Sequence, residues 1–113
     1  MAVMTYWRWP GVSREDYDAV LQHLELDGNA PAGCILHIAT LTDEGMEMCD
    51  LWQTERAFTG FVEGRLLSAA HEAGVDSQPE YRFEPLYNVF AADADMLDRM
   101  AALSMPAFAG AAY

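Results

Sequence analysis

The stretch "CILHIATLTDEGMEMCDLWQ", residues 34–53, decides the fold. Two β-prone runs, "CILHIATL" (34–41) and "MEMCDLWQ" (46–53), flank Thr42-Asp43-Glu44-Gly45, a hairpin turn with glycine where a positive φ is wanted. If the hairpin closes symmetrically on Asp43-Glu44, residues equidistant from that centre become cross-strand partners. His37 then faces Asp50, Ile35 faces Trp52 and Ala39 faces Met48 on one side of the ribbon. On the other side Leu36 faces Leu51 and Ile38 faces Cys49. Cys34 faces Gln53 in this register, so no Cys34–Cys49 disulfide is expected.

Upstream, "AVMTYWRW" (2–9) predicts a strand stopped by Pro10-Gly11. Ser13, with Asp16 as its capping-box partner, starts a helix whose apolar stripe is Tyr17, Val20, Leu21 and Leu24. The loop "DGNAPAG" (27–33) ends it. Downstream, Thr54 caps a second helix over 55–73, and Gly74 stops it. "YRFEPLYNVFA" (81–91) predicts a fourth strand, with Pro85 placing it at an edge or a bulge. Asp93 can cap a last, Met-rich helix, and "MPAFAGAAY" (105–113) reads as a loose or partner-contacting tail.

The order β-α-β-β-α-β plus a C-terminal helix is the split βαβ of an α+β, ferredoxin-like fold with two helices on one sheet face. We read one domain, with its body in residues 1–92 and its C-terminal helix and tail in 93–113. The strands carry large apolar residues on both faces, Met4 and Tyr6 against Trp7 and Trp9, and Phe83 and Tyr87 against Leu86 and Phe90. Two helices leave the second face bare, and a twofold partner sheet covers it most simply, so a homodimer is expected. Composition agrees: 52% of the 113 residues are hydrophobic, generous for so small a monomer.

The net charge is −12, and all six basic residues are Arg. Such a chain repels phosphate backbones and anionic lipids, which argues against nucleic-acid and membrane-surface roles. The missing Lys removes Schiff-base chemistry at a side chain. No apolar run approaches the roughly 20 residues of a membrane span. "MAVMTYWRWPG" lacks the pattern of a signal peptide, so a cytoplasmic protein is expected.

Directly opposite His and Asp side chains have Cβ atoms about 5 Å apart. Asp50 could then accept from one imidazole nitrogen of His37 and leave the other as a general base, in an apolar pocket walled by Trp52, Met48 and Ile35. The bland alternative is a buried pair that only fixes strand register. Tyr6 on the first strand, and Tyr87 with Asn88 on the fourth, could hold a phenolate or enolate oxygen, or simply fill the core and satisfy backbone. Trp7 and Trp9 read as barrel packing, and His23 as exposed. Nothing supplies a second His beside His37 and Asp50, so no metal site is expected. There is no nucleotide loop, no GxSxG and no Cys-His arrangement compatible with strand parity. On the second helix His71 shares a stripe with Gly60, Gly64 and Leu67, away from the apolar face of Phe58, Phe61, Val62 and Leu66. It reads either as a surface histidine suited to the helix C-terminus or as a group beside a notch for a flat ligand.

Over roughly residues 2–91, this element order, with Trp52 ending a strand, the Thr54 cap and "AF" at 57 and 58, resembles the dimeric α+β barrel superfamily, the antibiotic-biosynthesis monooxygenase-like proteins. "WQTERAFTGF" followed by "AAH" also resembles a helix of staphylococcal-type haem-degrading monooxygenases, whose haem-binding histidine falls at His71. Those enzymes carry a Trp where Phe61 stands here, and an Asn on the first strand where this chain offers Met4, Thr5 or Tyr6. Haem is therefore not expected, and haem degradation is the third reading. The superfamily includes cofactor-free quinone-forming monooxygenases, lactone isomerases and dehydratases, so fold alone does not choose the reaction. The leading expectation is a cofactor-independent acid–base enzyme for an apolar, enolisable or phenolic small molecule, acting by polyketide-type monooxygenation or by cyclisation or isomerisation. The second is a non-catalytic small-molecule-binding or scaffold dimer.

Overall fold

Strand β1 (Val3–Pro10) alternates as a half-buried strand should. Val3, Thr5, Trp7 and Trp9 are buried, while Tyr6 and Arg8 face outward. A computed structural model describes residues 1–26 and 29–103 and continues the chain through α1 (Arg14–Leu24), β2 (Cys34–Thr42) and β3 (Gly45–Trp52). Then follow α2 (Glu55–Phe61), a π-helical turn (Val62–Leu66), α3 (Leu67–Glu72), β4 (Glu80–Pro85) and α4 (Ala94–Leu103). The sheet order is β2-β3-β1-β4 with every neighbouring pair antiparallel, the ferredoxin-like arrangement.

Registry places the inward residues of β1 and β3 side by side: Trp7 with Met48, Thr5 with Asp50, and Val3 with Trp52. Val20 and Leu24 of α1, and Phe58, Val62, Leu66, Ala69 and Ala70 of the second helical segment, close over them to form the core. The expected caps form. Ser13 and Asp16 make a reciprocal capping box, and the Thr54 hydroxyl accepts from the Ala57 amide at 3.0 Å. The second helix is interrupted by the π turn, whose Arg65 donates to the carbonyls of Leu24 and Asn29 and so ties off the end of α1.

The hairpin register holds for His37–Asp50, Ala39–Met48, Leu36–Leu51 and Ile38–Cys49. It changes at the base, where a bulge between Cys34 and Leu36 pairs Cys34, and not Ile35, with Trp52. Gly33 explains the shift. It has a positive φ of 86°, accepts from the Gln53 amide, and lies so close to Ala57 that a Cβ would clash at 2.6 Å. The strand thus enters one residue out of step, and Ile35 is left 52% exposed. Both cysteines are free, as expected.

The fourth strand is shorter than 81–91 suggests. It ends at Pro85, which has no amide hydrogen to continue a ladder, and Leu86 instead donates to the carbonyl of Ala2. Tyr87 and Asn88 therefore lie beyond the sheet, and Tyr87 is fully exposed. The Asp93 carboxylate accepts from the Met96 amide and caps α4. The tail 105–113 lies outside the described residues.

On the sheet face opposite α1–α3, Met4, Leu36, Leu51, Val89 and Phe90 border a groove of about 350 Å³. Tyr6, Arg8, Thr40, Glu47 and Arg82 border another of about 590 Å³. No helix among the described residues is long and apolar enough to cross a membrane.

Candidate active site

Asp50 stands at the centre of the sheet, on the face turned to the helices, and is 2% exposed. A carboxylate in that position is costly unless its oxygens find donors. Here they do. Oδ1 lies 2.7 Å from His37 Nδ1, and Oδ2 accepts from the indole N–H groups of Trp7 and Trp52, each at 3.0 Å. An indole nitrogen only donates, so two of them on one oxygen match an ionised, accepting carboxylate.

This pattern assigns the imidazole tautomer. Nδ1 of His37 carries the hydrogen that faces Asp50, and Nε2 accepts from the Tyr17 hydroxyl at 2.5 Å. Tyr17 comes from the inward stripe of α1, and its ring stacks on His37 with an 11° tilt. Burial, followed by the charges of Asp50 and Asp18, pushes the phenol well above the usual tyrosine range, so it stays protonated and donates. His37 remains accessible, with 33% of its side chain exposed at the β2 edge. The result is a line, Tyr17–His37–Asp50, that meets solvent at His37 and is anchored at its inner end by two tryptophans.

Burial, then the Asp50 charge, pushes the Cys34 thiol up to about 11, and the same causes raise Cys49. Neither is a ready thiolate nucleophile at neutral pH.

Of the residues picked from sequence, His37, Asp50 and Trp52 meet, and Met48 lies buried beside them as the cross-strand neighbour of Trp7 and Ala39. Ile35 does not join them, because the bulge turns it outward. Tyr6 sits on the opposite sheet face, under the Arg82 guanidinium at 4.4 Å. Tyr87 and Asn88 follow the end of β4, and Asn88 borders a groove of that opposite face. The three donors expected to hold an oxyanion therefore do not converge on His37. His71 is exposed, with Nδ1 3.2 Å from Asp76, and His23 meets Glu72 at 3.3 Å. Among the described residues no cluster of three or more His, Cys, Asp or Glu could hold a metal ion.

Tyr17 and Trp7 are the site residues that sequence reasoning missed. Trp7 left a signal: a carboxylate buried on β3 needs donors, and strand parity puts an indole on the adjoining strand on the same face. Tyr17 left only its place on an apolar stripe, because the stripe does not say which strand the helix crosses.

No family model and no curated protein sequence matches this chain. Solved structures do. Rv0793 from Mycobacterium tuberculosis superposes with a TM-score of 0.56 at 12% identity, over 80% of this chain and 100% of that one. SnoaB, a cofactor-independent oxygenase from Streptomyces nogalater, gives 0.54 at 12% identity, over 79% and 95%. A Chloroflexus aurantiacus protein, described provisionally as an antibiotic biosynthesis monooxygenase, gives 0.54 at 8% identity, over 80% and 98%. The likeness is one of architecture: at 8–12% identity, these structures share the fold of this chain.

Proposed function

We propose that the protein is a cofactor-independent enzyme that takes a proton from an apolar, enolisable or phenolic small molecule, with His37 as general base and Asp50 as its orienting partner. The observation that carries this reading is the Tyr17–His37–Asp50 line, in which the Tyr17 hydroxyl meets Nε2, Asp50 meets Nδ1, and a third of the His37 side chain stays exposed. The substrate's acidic hydrogen passes to the Tyr17 oxygen as the Tyr17 hydrogen passes to Nε2. The resulting imidazolium faces a carboxylate already fixed by two indoles. The carbanion left behind can reduce O₂, giving a monooxygenase, or react within the same molecule, giving a cyclase or isomerase. SnoaB, a cofactor-independent oxygenase on this fold, supports the first branch.

The working unit in this proposal is a homodimer. Its support is the apolar face bearing Met4, Leu36, Ile38 and Leu51, which no described helix covers.

A second reading, a non-catalytic small-molecule-binding or scaffold dimer, is favoured by the grooves, which lie across the sheet from His37. Metal-free protein incubated with 1,8-dihydroxyanthrone under oxygen separates the two. O₂ uptake and quinone formation that fall in His37→Ala support the enzyme, whereas binding of the anthrone without turnover supports the module.

A further inference from the structure

The contacts of Tyr17 suit electron transfer as well as proton transfer. Its phenol is hydrogen-bonded to a base that is hydrogen-bonded to a buried carboxylate, and the oxidisable indoles of Trp7 and Trp52 end on that same carboxylate. A phenol that loses an electron becomes a very strong acid. One-electron oxidation is therefore easy only where a base takes the proton as the electron leaves. In this protein the base is already in contact. With Nδ1 committed to Asp50, the neutral ring of His37 offers Nε2 as acceptor to the phenol hydrogen across 2.5 Å. The imidazolium formed by the transfer would face a carboxylate at 2.7 Å.

We propose that Tyr17 is a redox-active tyrosine, which gives one electron to an organic peroxyl radical and its phenol proton to His37 Nε2. The Tyr17 O–H bond breaks and the His37 Nε2–H bond forms. The phenol is oxidised to a neutral tyrosyl radical, and the peroxyl radical is reduced to a peroxide anion. Tyr17, His37 and Asp50 together pass from one negative charge to none, which removes a charge from the core as oxidation proceeds.

A route inward supports the assignment. The Trp7 ring centroid lies 6.1 Å from His37 and 6.0 Å from Trp9, and the Tyr17 ring stacks on His37 at 6.1 Å. An electron from Trp7 can therefore refill Tyr17 over one imidazole, and the Trp7 N–H already points at Asp50.

The test uses the full chain and photogenerated tris-bipyridyl ruthenium(III) as the oxidant, followed by transient absorption and by electron paramagnetic resonance of samples frozen after the flash. The expected result is a tyrosyl signal that is lost in Tyr17→Phe and forms more slowly in D₂O than in H₂O. It should also form more slowly in His37→Gln, where Nε2 is gone. The same signal in Tyr17→Phe would place the radical on an exposed tyrosine such as Tyr6 or Tyr81 and overturn the proposal. A formation rate unchanged in D₂O, or in His37→Gln, would overturn the assigned proton acceptor. The D₂O comparison uses the unaltered protein, so it stands even if a variant folds poorly. Failure here leaves the acid–base reading intact, because that reading is scored by anthrone turnover.

Discussion

Tyr17 Oη lies 2.5 Å from His37 Nε2, so a helix side chain occupies the imidazole nitrogen that the β2–β3 hairpin leaves free. The hairpin alone would produce a two-residue pair with an open base. The helix turns it into a three-residue relay whose outer atom is a phenol. In the proposed reaction a proton that reaches His37 Nε2 from a bound molecule would pass this hydroxyl, which ties the site to the α1–β2 packing as much as to the strand register.

Asp50→Asn tests how the inner end is built. An amide has one accepting oxygen, while three donors converge on the carboxylate, so its NH₂ group would face an indole or imidazole N–H. The expected loss of stability is about 1–3 kcal/mol, the span for leaving a buried donor without an acceptor. Urea unfolding followed by tryptophan fluorescence measures it, and a midpoint close to that of the unaltered protein would contradict the proposed anchoring.

Alkaline pH should destabilise the fold through Tyr17, Cys34 and Cys49, all raised by burial, and two of these groups carry the test. Cys34 is pushed up to about 11 from 9.0, and Tyr17 is raised above its ordinary 10.0. In the window above about pH 9 the unfolded chain binds fewer protons at these groups than the folded one, so unfolding free energy falls as pH rises. Below that window both groups are protonated in either state and contribute no slope. Urea midpoints recorded from pH 8 to pH 11 should decline, and the decline should be shallower in Cys34→Ser and in Tyr17→Phe.

How much of this was legible in the sequence depended on the range of the interaction. The His37–Asp50 pairing was legible because hairpin register follows from a local turn, and Gly45, with a φ of 135°, fixes that turn. The Ile35 assignment failed four residues further from the turn than Ala39, where Gly33 packs against Ala57 of a different element and shifts the strand. Tyr87 and Asn88 were placed on a strand by their β-prone neighbours, and the missing amide of Pro85 ends that strand first. Tyr17 and Trp7 belong to contacts between elements 20 and 43 residues away in sequence, which periodicity does not encode.

Haemin should not bind tightly through His71. Its side chain is 82% exposed and engaged with Asp76, which leaves no enclosed surface around the imidazole. A haemin titration should lack a stoichiometric Soret shift. A tight shift that disappears in His71→Ala would contradict this and promote haem degradation to the leading function.

The protein should sediment as a dimer burying more than about 2,000 Å² in total, the range of obligate interfaces. Ile38→Arg would place a charge on the uncovered sheet face, where Ile38 is now half exposed, and should shift the population to monomer. A stable, well-folded monomer of the unaltered chain at micromolar concentration would remove the dimer proposal.

The most direct test of the central claim is anaerobic exchange of the acidic methylene hydrogens of 1,8-dihydroxyanthrone with D₂O, followed by proton NMR. Without oxygen only proton abstraction is scored, so the outcome does not depend on which reaction the carbanion later undergoes. The account predicts that the unaltered protein accelerates exchange and that His37→Ala, still folded, loses about 10²-fold or more of that acceleration, the usual span for a missing general base. Exchange that is equal per folded molecule in both, with only the melting temperature lowered in the variant, would show that His37 and Asp50 fix the strand register and do no chemistry.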